Sequence, residues 1–335
     1  MANVTMRDIG RMTGVSAVTV SKALAGKSGM SEETRQRIIR VAEEMGYVNP
    51  GAGQSSTAHS LDVGILIPDR FFSPDSFYAA LYKDLVQGLT DAGHFGILEM
   101  LSNEAEAELA LPHLMSGRQV DALVVLGQPS KAYRQMIAAQ ETPVIFLDFY
   151  DPTINADAVV GDNFCGAARL TDHLIERGHK DIGFVGYVRA TSSIMERYTG
   201  YASAMILAGL PLRRDLLLRD RDEKGNPLPL VLPENPPTAL VCHCDEAAAR
   251  VIEQLRAQGI RVPEDISVTG YDDFLPGGAS SPALTTFRMD RKAMVRVTIR
   301  LIMSRCSDVK TPLGRVVVGG EMICRASVKT LRTDG

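Results

Sequence analysis

The chain has 335 residues, of which 45% are hydrophobic and 23% charged, and its formal net charge is −4. This length is sufficient for one small module and a body of one or two domains, and the slightly acidic balance argues against a protein that is basic throughout. The longest apolar runs are too short to span a bilayer, so the composition indicates neither a membrane protein nor a membrane partner.

The N-terminal segment predicts three short helices. Thr5 can cap the first helix with its hydroxyl, and Gly14 can end it in the left-handed conformation. Ser16 can cap a second helix over residues 17–25, and Ser31 can cap a third. Because the sequence enters a capped helix at once, without the pattern of a signal peptide, a cytoplasmic protein is expected.

Two helices joined by a tight glycine turn predict a helix-turn-helix, whose second helix enters the DNA major groove. Ile9 and Met12 are expected to share a face of the first helix. The outward positions of the second helix are small or can form hydrogen bonds, namely Ala17, Val18, Thr19, Ser21 and Lys22. The same spacing fits an ordinary three-helix bundle, so spacing alone leaves both interpretations open.

The residues themselves are more specific. The segment reads VTMRDIGRMTGVSAVTVSKAL and then MSEETRQRIIRVAEEMGYVNP. It resembles the N-terminal signature of the lactose-repressor/galactose-repressor family of bacterial transcription regulators. The resemblance implies an all-α helix-turn-helix DNA-binding domain over residues 1–48, and a homodimer on a pseudo-palindromic double-stranded operator. It implies that Ala17, Val18 and Lys22 face base edges. It also implies that a set of hydroxyl side chains contacts phosphates or positions the domain: Thr5, Ser16, Thr19, Ser21 and Thr34.

The charge is distributed unevenly. Residues 1–60 contain seven Lys/Arg and five Asp/Glu, a balance of +2, which leaves −6 for the rest of the chain. Neutralisation of DNA phosphates is therefore expected from neutral donors and a few local cations, which are Arg7, Lys22, Lys27 and Arg35.

Residues 49–61 are rich in Gly, Ser and Ala, which predicts a hinge linker. In the family this stretch folds on operator DNA as a hinge helix, and its leucine enters the minor groove. Gly51 and Gly53 each weaken a helix by about 1 kcal/mol relative to Ala. Ser56 stands where the leucine is expected. The sequence therefore leaves open whether residues 49–61 form a hinge helix.

From residue 62 onwards, short apolar strands alternate with amphipathic helices, which predicts βαβ units and parallel sheets with helices on both faces. Strands are predicted at 62–68, 95–101, 121–126, 143–147, 182–187, 216–218, 239–243 and 266–271. Helices are predicted at 77–93, 104–115, 131–139, 166–177, 194–208 and 246–258. Residues 158–161 are predicted to form a short crossing segment.

Six blocks in this region occur in the order GFVGY, ERYTGY, VCHCDEAAARVI, ISVTGYDDF, SPALTTFRMDRKAM and VVVGGEMICRASVK. They resemble the two-lobed α/β body of the same family, which is similar to periplasmic binding proteins. The resemblance implies an effector-binding and dimerisation body over 62–335. Lobe 1 would comprise about 62–160 and 290–318, and lobe 2 about 161–289 and 319–335. Residues 284–287 and 316–322 would cross between the lobes.

Ligands of open α/β sheets bind outside the carboxyl ends of the strands. Asp148 and Asp272 each follow a predicted strand, Phe71 and Phe72 follow the first strand, and Arg197 lies early in a helix. Carboxylates accept bonds from hydroxyls, Arg donates a fork of bonds, and an aromatic ring covers an apolar ring face. Each residue also has a structural alternative, as a turn cap, a core ring or a solvated helix residue. The resemblance favours Arg197 and Asp272, because ERxxGY and GYDD carry the main effector contacts of the family.

No nucleotide-binding loop, hydrolase elbow or metalloprotease motif is found, so neither an enzyme nor a cofactor is predicted. Cys242-His243-Cys244 invites a metal interpretation, but no second pair has zinc-site spacing, so packing at a strand end is expected instead. The five cysteines are expected to be reduced. Cys244 stands where the family pattern has Asn, which indicates a different ligand or a different pose.

The sequence therefore predicts a ligand-responsive repressor of carbohydrate-utilisation genes, with a sugar or sugar phosphate as effector. The alternatives are the same architecture with a purine-like corepressor, a solute-binding protein or an enzyme. The final residues, SVKTLRTDG, contain no leucine heptad, which favours a dimer over a tetramer.

Overall fold

The computed structural model describes residues 5–24, 30–45, 60–117, 119–223, 225–274, 284–307 and 311–331. Lys27 and most of the predicted linker, residues 49–59, lie outside the described residues. The chain forms two compact units, residues 1–60 and 61–335. None of the described helices combines the length and apolar composition needed to cross a bilayer.

The first unit contains three helices, α1 (Met6–Thr13), α2 (Ala17–Leu24) and α3 (Glu32–Glu44). Thr5 caps α1 as predicted, and the Asp8 carboxylate accepts a bond from the Thr5 backbone N–H at 2.9 Å. The buried core between the helices consists of Ile9, Val20, Ala23, Ile38 and Ala42.

The expectation for Met12 is wrong, because its side chain is 69% exposed. Thr13 takes the inner position instead, four residues after Ile9, and its hydroxyl donates to the Ile9 carbonyl at 2.7 Å. On this helix the i, i+4 pair faces the core, rather than the i, i+3 pair.

The second unit begins at Leu61 and contains two parallel sheets. The strands are β1 (Asp62–Pro68), β2 (Phe95–Leu101), β3 (Ala122–Leu126), β4 (Val144–Leu147), β5 (Asp157–Gly161), β6 (Ile182–Val185), β7 (Leu217–Leu218), β8 (Ala239–Cys242), β9 (Ser267–Thr269), β10 (Thr286–Met289), β11 (Arg315–Val318) and β12 (Gly320–Ile323). The helices are α4 (Phe77–Asp91), α5 (Asn103–Ala107), α6 (Lys131–Ala138), α7 (Asn163–Ile175), α8 (Ser192–Leu207), α9 (Asp245–Ala257) and α10 (Arg291–Cys306).

The larger sheet has the order β11-β5-β4-β3-β1-β2, and the smaller one has the order β7-β6-β8-β9. All neighbouring strands in both sheets are parallel. Strands β10 and β12 form a separate antiparallel pair. The predicted parallel α/β class is therefore confirmed.

Alternation along each strand places helices on both faces of the larger sheet. On β3, Val124 packs in the core under α4 and α10, whereas Leu123 and Val125 pack in the core under α6. The smaller sheet is covered in the same way, by α9 on one face and α8 on the other. A central strand that is covered on both faces can therefore be wholly apolar, as the sequence of β3 shows.

Two sequence-based assignments are wrong. The helix predicted at 104–115 ends as α5 at Ala107, because Leu109 adopts a positive φ of 55° and Pro112 cannot continue the helical hydrogen bonding. Residues 158–161 are not a free crossing segment, because they belong to β5 inside the larger sheet. The range 316–322, predicted to cross between the lobes, contains the end of β11 and most of β12, so the chain leaves the larger sheet within it.

Candidate functional site

The carboxyl ends of strands from both sheets open onto a cleft of about 510 Å³. Its lining includes residues that directly follow β1, β4, β8 and β9. This volume lies within the usual range of small-molecule sites. All five residues singled out in the sequence line the cleft: Phe71, Phe72, Asp148, Arg197 and Asp272.

Arg197 is buried on the first turns of α8, and its hydrogen bonds go to protein groups. Its Nε donates to Oδ1 of Asn163 at 2.8 Å, and its Nη1 donates to the His243 carbonyl at 2.5 Å. Its Nη2 lies 3.1 Å from Oδ1 of Asp272, an ion pair outside hydrogen-bond geometry. The guanidinium also covers the Tyr271 ring at 3.8 Å. The sequence-based expectation of an Arg197 fork open to a ligand therefore differs from what is observed, because the fork is occupied within the protein.

Asp148 is the first residue after β4, and it is buried with a positive φ of 70°. Its Oδ2 accepts a bond from the Tyr78 hydroxyl at 3.0 Å, whereas its buried Oδ1 has no partner among the described residues. Burial raises the pKa of Asp148 to about 7, and the nearby Asp272 carboxylate adds to this effect. The site therefore offers an unsatisfied acceptor, which a hydroxyl or amine of a ligand can satisfy.

Asp272 and Asp273 follow β9, with positive φ values of 99° and 50°. Burial raises the pKa of Asp272, and the Arg197 charge opposes this shift. Asp273 turns away from Arg197 and forms ion pairs with Arg288 at 2.8 Å and with Arg325 at 2.6 Å. The two neighbouring aspartates therefore have different partners, one at the cleft and one at the antiparallel pair of β10 and β12.

Aromatic rings form one wall of the cleft. Phe71 packs against Tyr78 with ring centroids 5.4 Å apart, and its ring lies directly over Gly127, where a Cβ atom would be 2.8 Å from it. Phe72 contacts Tyr82 edge to face at 6.0 Å and packs on the core of the larger sheet. Both residues line the cleft, but Phe72 also has the structural role that the sequence left open.

A second polar cluster in the cleft was missed by the sequence reasoning. Its members are Asp220, Arg221, His243 and Arg250, which come from the loop after β7, the end of β8 and α9. Oδ2 of Asp220 lies 2.8 Å from Nη2 of Arg221, 3.0 Å from Nε2 of His243 and 3.6 Å from Nη2 of Arg250. The positions of His243 and Arg250 around the VCHCDE block were the available signal, but Asp220 and Arg221 follow a two-residue strand with no recognisable motif.

The electrostatics of this cluster favour charged side chains. Burial opposes the charged form of His243, but Cys244 and Asp220 raise its pKa to about 9. Burial also opposes ionisation of Asp220, but His243 and Arg221 hold its pKa well below the ordinary range. Both groups are therefore charged at neutral pH.

Cys244, His243 and Asp220 are adjacent, but they do not form a catalytic relay. Both Sγ of Cys244, at 3.7 Å, and Oδ2 of Asp220, at 3.0 Å, approach the same ring nitrogen of His243, Nε2. A relay needs the two partners on opposite ring nitrogens. Cys244 instead caps α9, accepting the Ala247 N–H at 3.4 Å, and no group of metal-ligating side chains suited to an ion is present in the described part of the chain.

In the first unit, α2 exposes the side chains of Val18, Ser21 and Lys22, and half-buries those of Ala17 and Thr19. Several of the predicted phosphate-contacting hydroxyls also act as caps. Ser16 accepts the Thr19 N–H at 3.1 Å, and Ser31 accepts the Thr34 N–H at 3.3 Å.

Comparison with known proteins gives consistent results. Residues 5–49 match the bacterial regulatory proteins of the lacI family, and residues 171–328 match the periplasmic binding protein-like domain. The HTH-type transcriptional repressor CytR of Escherichia coli (strain K12) is 26% identical over 335 residues, which cover 98% of this chain and 97% of the relative.

Two solved structures have the same fold. The transcriptional regulator CelR–cellobiose complex has a TM-score of 0.68 at 22% identity, covering 97% of this chain and 100% of the other. The lac repressor dimer bound to operator and the anti-inducer ONPF has a TM-score of 0.66 at 19% identity, covering 98% and 100%. The predicted two-part fold, a helix-turn-helix unit followed by a two-lobed body, is confirmed. The chain therefore has a lacI-family helix-turn-helix domain followed by a periplasmic binding protein-like domain, and from this order and its end-to-end similarity to a repressor it is a DNA-binding transcription regulator rather than an enzyme.

Proposed function

We propose that the protein is a cytoplasmic repressor of carbohydrate-utilisation genes that binds a pseudo-palindromic operator as a homodimer. A sugar or sugar phosphate between the lobes would control its operator affinity. The observation that carries the proposal is the unsatisfied, buried Oδ1 of Asp148 in an aromatic-walled cleft. Such an acceptor suits a hydroxylated ligand, and the similarly folded CelR was solved with cellobiose.

The division of labour along the chain follows from the same proposal. Residues 1–48 would bind DNA, 49–61 would form the hinge, and 62–335 would bind effector and dimerise. Lobe 1 would comprise about 62–160 and 290–318, and lobe 2 about 161–289 and 319–335. In support of this division, β1 to β5 and β11 share one sheet and β6 to β9 the other.

On the DNA side, Ala17, Val18 and Lys22 of α2 would face base edges. A set of polar residues would contact phosphates or position the domain: Thr5, Ser16, Thr19, Ser21, Lys27 and Thr34. On the ligand side, Phe71, Phe72, Asp148, Arg197 and Asp272 would form the effector site. Arg197 would act through its bonds to Asn163 and His243, which orient it, and it would exchange some of its contacts when a ligand enters.

The DNA-binding part is tested by Lys22→Ala in the full chain. Operator selected from random DNA with the wild-type protein is titrated in fluorescence anisotropy, together with substitutions at each operator position. The variant is expected to bind about tenfold more weakly and to lose its preference at one base step, since a base contact contributes about 1–3 kcal/mol. Lys180→Ala, an exposed lysine of the second unit, serves as the control.

The ligand-binding part is tested on the same complex by adding sugars, sugar phosphates and purines. A change in operator affinity with any sugar or sugar phosphate supports the proposal and shows whether the effector induces or corepresses. A response to purines alone would favour the alternative effector class. Unchanged affinity and preference in Lys22→Ala would show that α2 does not contact bases through this residue.

A further inference from the structure

We propose that the effector carries an anionic group, a phosphate monoester or a carboxylate, that binds to Arg221, Arg250 and His243 while its hydroxyls bind at Asp148. This inference rests on the proposed function and specifies its ligand. It is carried by the cationic cluster around Asp220, which faces the same cleft as Asp148.

Three cationic side chains converge on one carboxylate at this end of the cleft. Nη2 of Arg221, Nε2 of His243 and Nη2 of Arg250 lie 2.8, 3.0 and 3.6 Å from Oδ2 of Asp220. The other oxygen, Oδ1, accepts the Tyr187 backbone N–H at 2.9 Å. Asp220 is therefore fully occupied, and one negative charge faces three positive ones.

The remaining counter-ion is exposed. Glu246 pairs with Arg250 at 2.6 Å, but its side chain is 61% exposed, so this pair is strongly screened by water. With this exposed carboxylate discounted, Arg221 and Arg250 outweigh the single charge of Asp220, and the raised pKa of His243 adds to the positive excess. An anion entering the cleft would offset it.

The cationic side chains also lie closer to solvent than the carboxylate of Asp220. The side chain of Asp220 is 4% exposed, whereas those of Arg221 and Arg250 are 24% and 31% exposed. Arg221 directs Nε and Nη2 at Oδ2 of Asp220, each at 2.8 Å, and its Nη1 has no partner in the described part of the chain. A ligand therefore meets guanidinium donors first, and such donors suit phosphate and carboxylate oxygens.

The other end of the cleft has the opposite character. Asp148 and Asp272 are both acidic, and the donors of Arg197, the cation between them, already bond to Asn163 and the His243 carbonyl. An anionic group would be repelled there, whereas hydroxyl donors would satisfy Oδ1 of Asp148. The polarity of the cleft thus fixes the orientation of a ligand with hydroxyls at one end and an anion at the other.

His243 connects the two ends. Its carbonyl accepts Nη1 of Arg197 at 2.5 Å, and its imidazole belongs to the cationic cluster. A neutral sugar that reached only the Asp148 end would leave the charge of the cluster uncompensated. Affinity should therefore favour ligands that bear the anion.

The inference is tested by calorimetry on the full chain with matched ligands: pentoses and hexoses, their phosphate monoesters, the corresponding uronic acids, and inorganic phosphate. At least one anionic sugar is expected to bind more tightly than its neutral counterpart by tenfold or more. Comparison of phosphate esters with uronic acids identifies which anion is preferred.

Variants assign the anion to the cluster. Arg221→Gln is expected to weaken binding of the preferred anionic sugar by about tenfold to a hundredfold, and to bring it close to that of the neutral sugar. If Arg221→Gln does not fold, Arg250→Gln, at a more exposed position, takes its place and is also expected to weaken binding of the anionic sugar. Arg213→Gln is the matched control, since this arginine is 25% exposed and pairs with Asp181 and Asp215 away from the cleft.

The outcomes separate the two proposals. Binding of a neutral sugar that Asp148→Asn weakens, without any preference for anions or effect of Arg221→Gln, would overturn this inference and leave the proposed function standing. Absence of binding by every sugar and sugar derivative would overturn both. Binding of inorganic phosphate alone, unaffected by Arg221→Gln, would also count against the cluster as the anion site.

Discussion

Asp148 shows how one residue can combine backbone strain with an unsatisfied charge. Its φ of 70° is unusual for a residue other than glycine, and its pKa is raised by burial from the ordinary 3.8 to about 7. Strained and desolvated groups of this kind gather at functional sites, because the surrounding fold must stabilise them. In the ligand-free protein, ionised Asp148 therefore costs stability.

The sign of this effect gives a prediction. The folded protein retains a proton on Asp148 that the unfolded chain releases, so the free energy of unfolding falls as the pH rises from about 4 to about 7. Asp148→Asn removes this titration. We expect its melting temperature to be equal to or below that of the wild type at pH 5, and several degrees above it at pH 8.

Thermal melts across pH 4.5–8.5 without sugar check this prediction. A pKa change of one unit corresponds to about 1.4 kcal/mol, and one kcal/mol to about 2–4 °C in a domain of this size. Glu253→Gln, an exposed carboxylate on α9, is the control and should follow the wild-type profile. Parallel profiles of melting temperature against pH for Asp148→Asn and the wild type would show that ionisation of Asp148 does not lower the free energy of unfolding.

At the residue scale, the sequence predicted where the site residues lie better than it predicted their hydrogen-bond and ion-pair partners. Asp148 and Asp272 could be found because carboxylates that follow buried strands lie at the ligand edge of a parallel sheet. The use of Arg197 within the protein could not be found, since Asn163 and His243 reach it from distant parts of the chain. The same reason hides the ion cluster of Asp220.

At the scale of elements, the segment after β9 connects the cleft to the antiparallel pair of β10 and β12. Asp272 pairs with Arg197, whereas Asp273 binds Arg288 on β10 and Arg325, which follows β12. Arg288 in turn pairs with Glu321 on β12 at 2.7 Å. A shift of this segment on ligand binding would therefore change contacts on both β10 and β12. This is a physical route by which the cleft could be coupled to a distant site.

This route predicts a specific effect of Asp273→Asn. The ratio of operator affinities with and without saturating effector should shrink by threefold or more, because allosteric coupling usually amounts to about 1–3 kcal/mol. The variant keeps Asp272 and its ion pair, so effector affinity should change less than this ratio. Anisotropy titrations of operator at zero and saturating effector measure both quantities.

Asp265→Asn provides the control, since this residue lies in the loop before β9 and forms its ion pair with Arg261, at 2.9 Å, rather than with β10 or β12. If Asp273→Asn preserves the full response to effector, then the ion pairs to Arg288 and Arg325 are structural and do not transmit the ligand signal.

The elements themselves were predicted where local signals agree. Buried strands such as β1 and β3 carry continuous apolar runs, and capped helices such as α4 and α8 begin within a few residues of the predicted starts. One of the failures lies where tertiary pairing decides. Residues 158–161 become a strand because β4 pairs with them on one side and β11, more than 150 residues later, on the other.

At the scale of the whole molecule, DNA recognition requires a partner. One α2 helix reads only a half-site, and the first unit carries an excess of just two positive charges, so high operator affinity is expected from two copies. The larger sheet ends at β2, which among the described strands pairs only with β1. Phe95 and Ile97, two residues apart on this edge, are 64% and 39% exposed.

An edge strand with exposed apolar side chains is prone to pair with another chain, which makes β2 the candidate dimer surface. We expect the wild-type protein to be a dimer at micromolar concentration. The double variant Phe95→Lys, Ile97→Lys should be a monomer, because an interface would have to bury two unpaired charges at a cost of several kcal/mol. Multi-angle light scattering measures the mass of each form.

The same variant should bind operator at least tenfold more weakly, because the two half-sites of the operator are no longer bound together by one dimer. Val231→Lys, which also places a charge at an exposed apolar position (72% exposed) but on the loop between β7 and β8, is expected to remain dimeric and to bind operator normally. A wild-type tetramer, or a double variant that stays dimeric with full operator affinity, would place the interface elsewhere. If the double variant is monomeric but still responds to effector, the cleft works within one chain, whereas high DNA affinity depends on two chains.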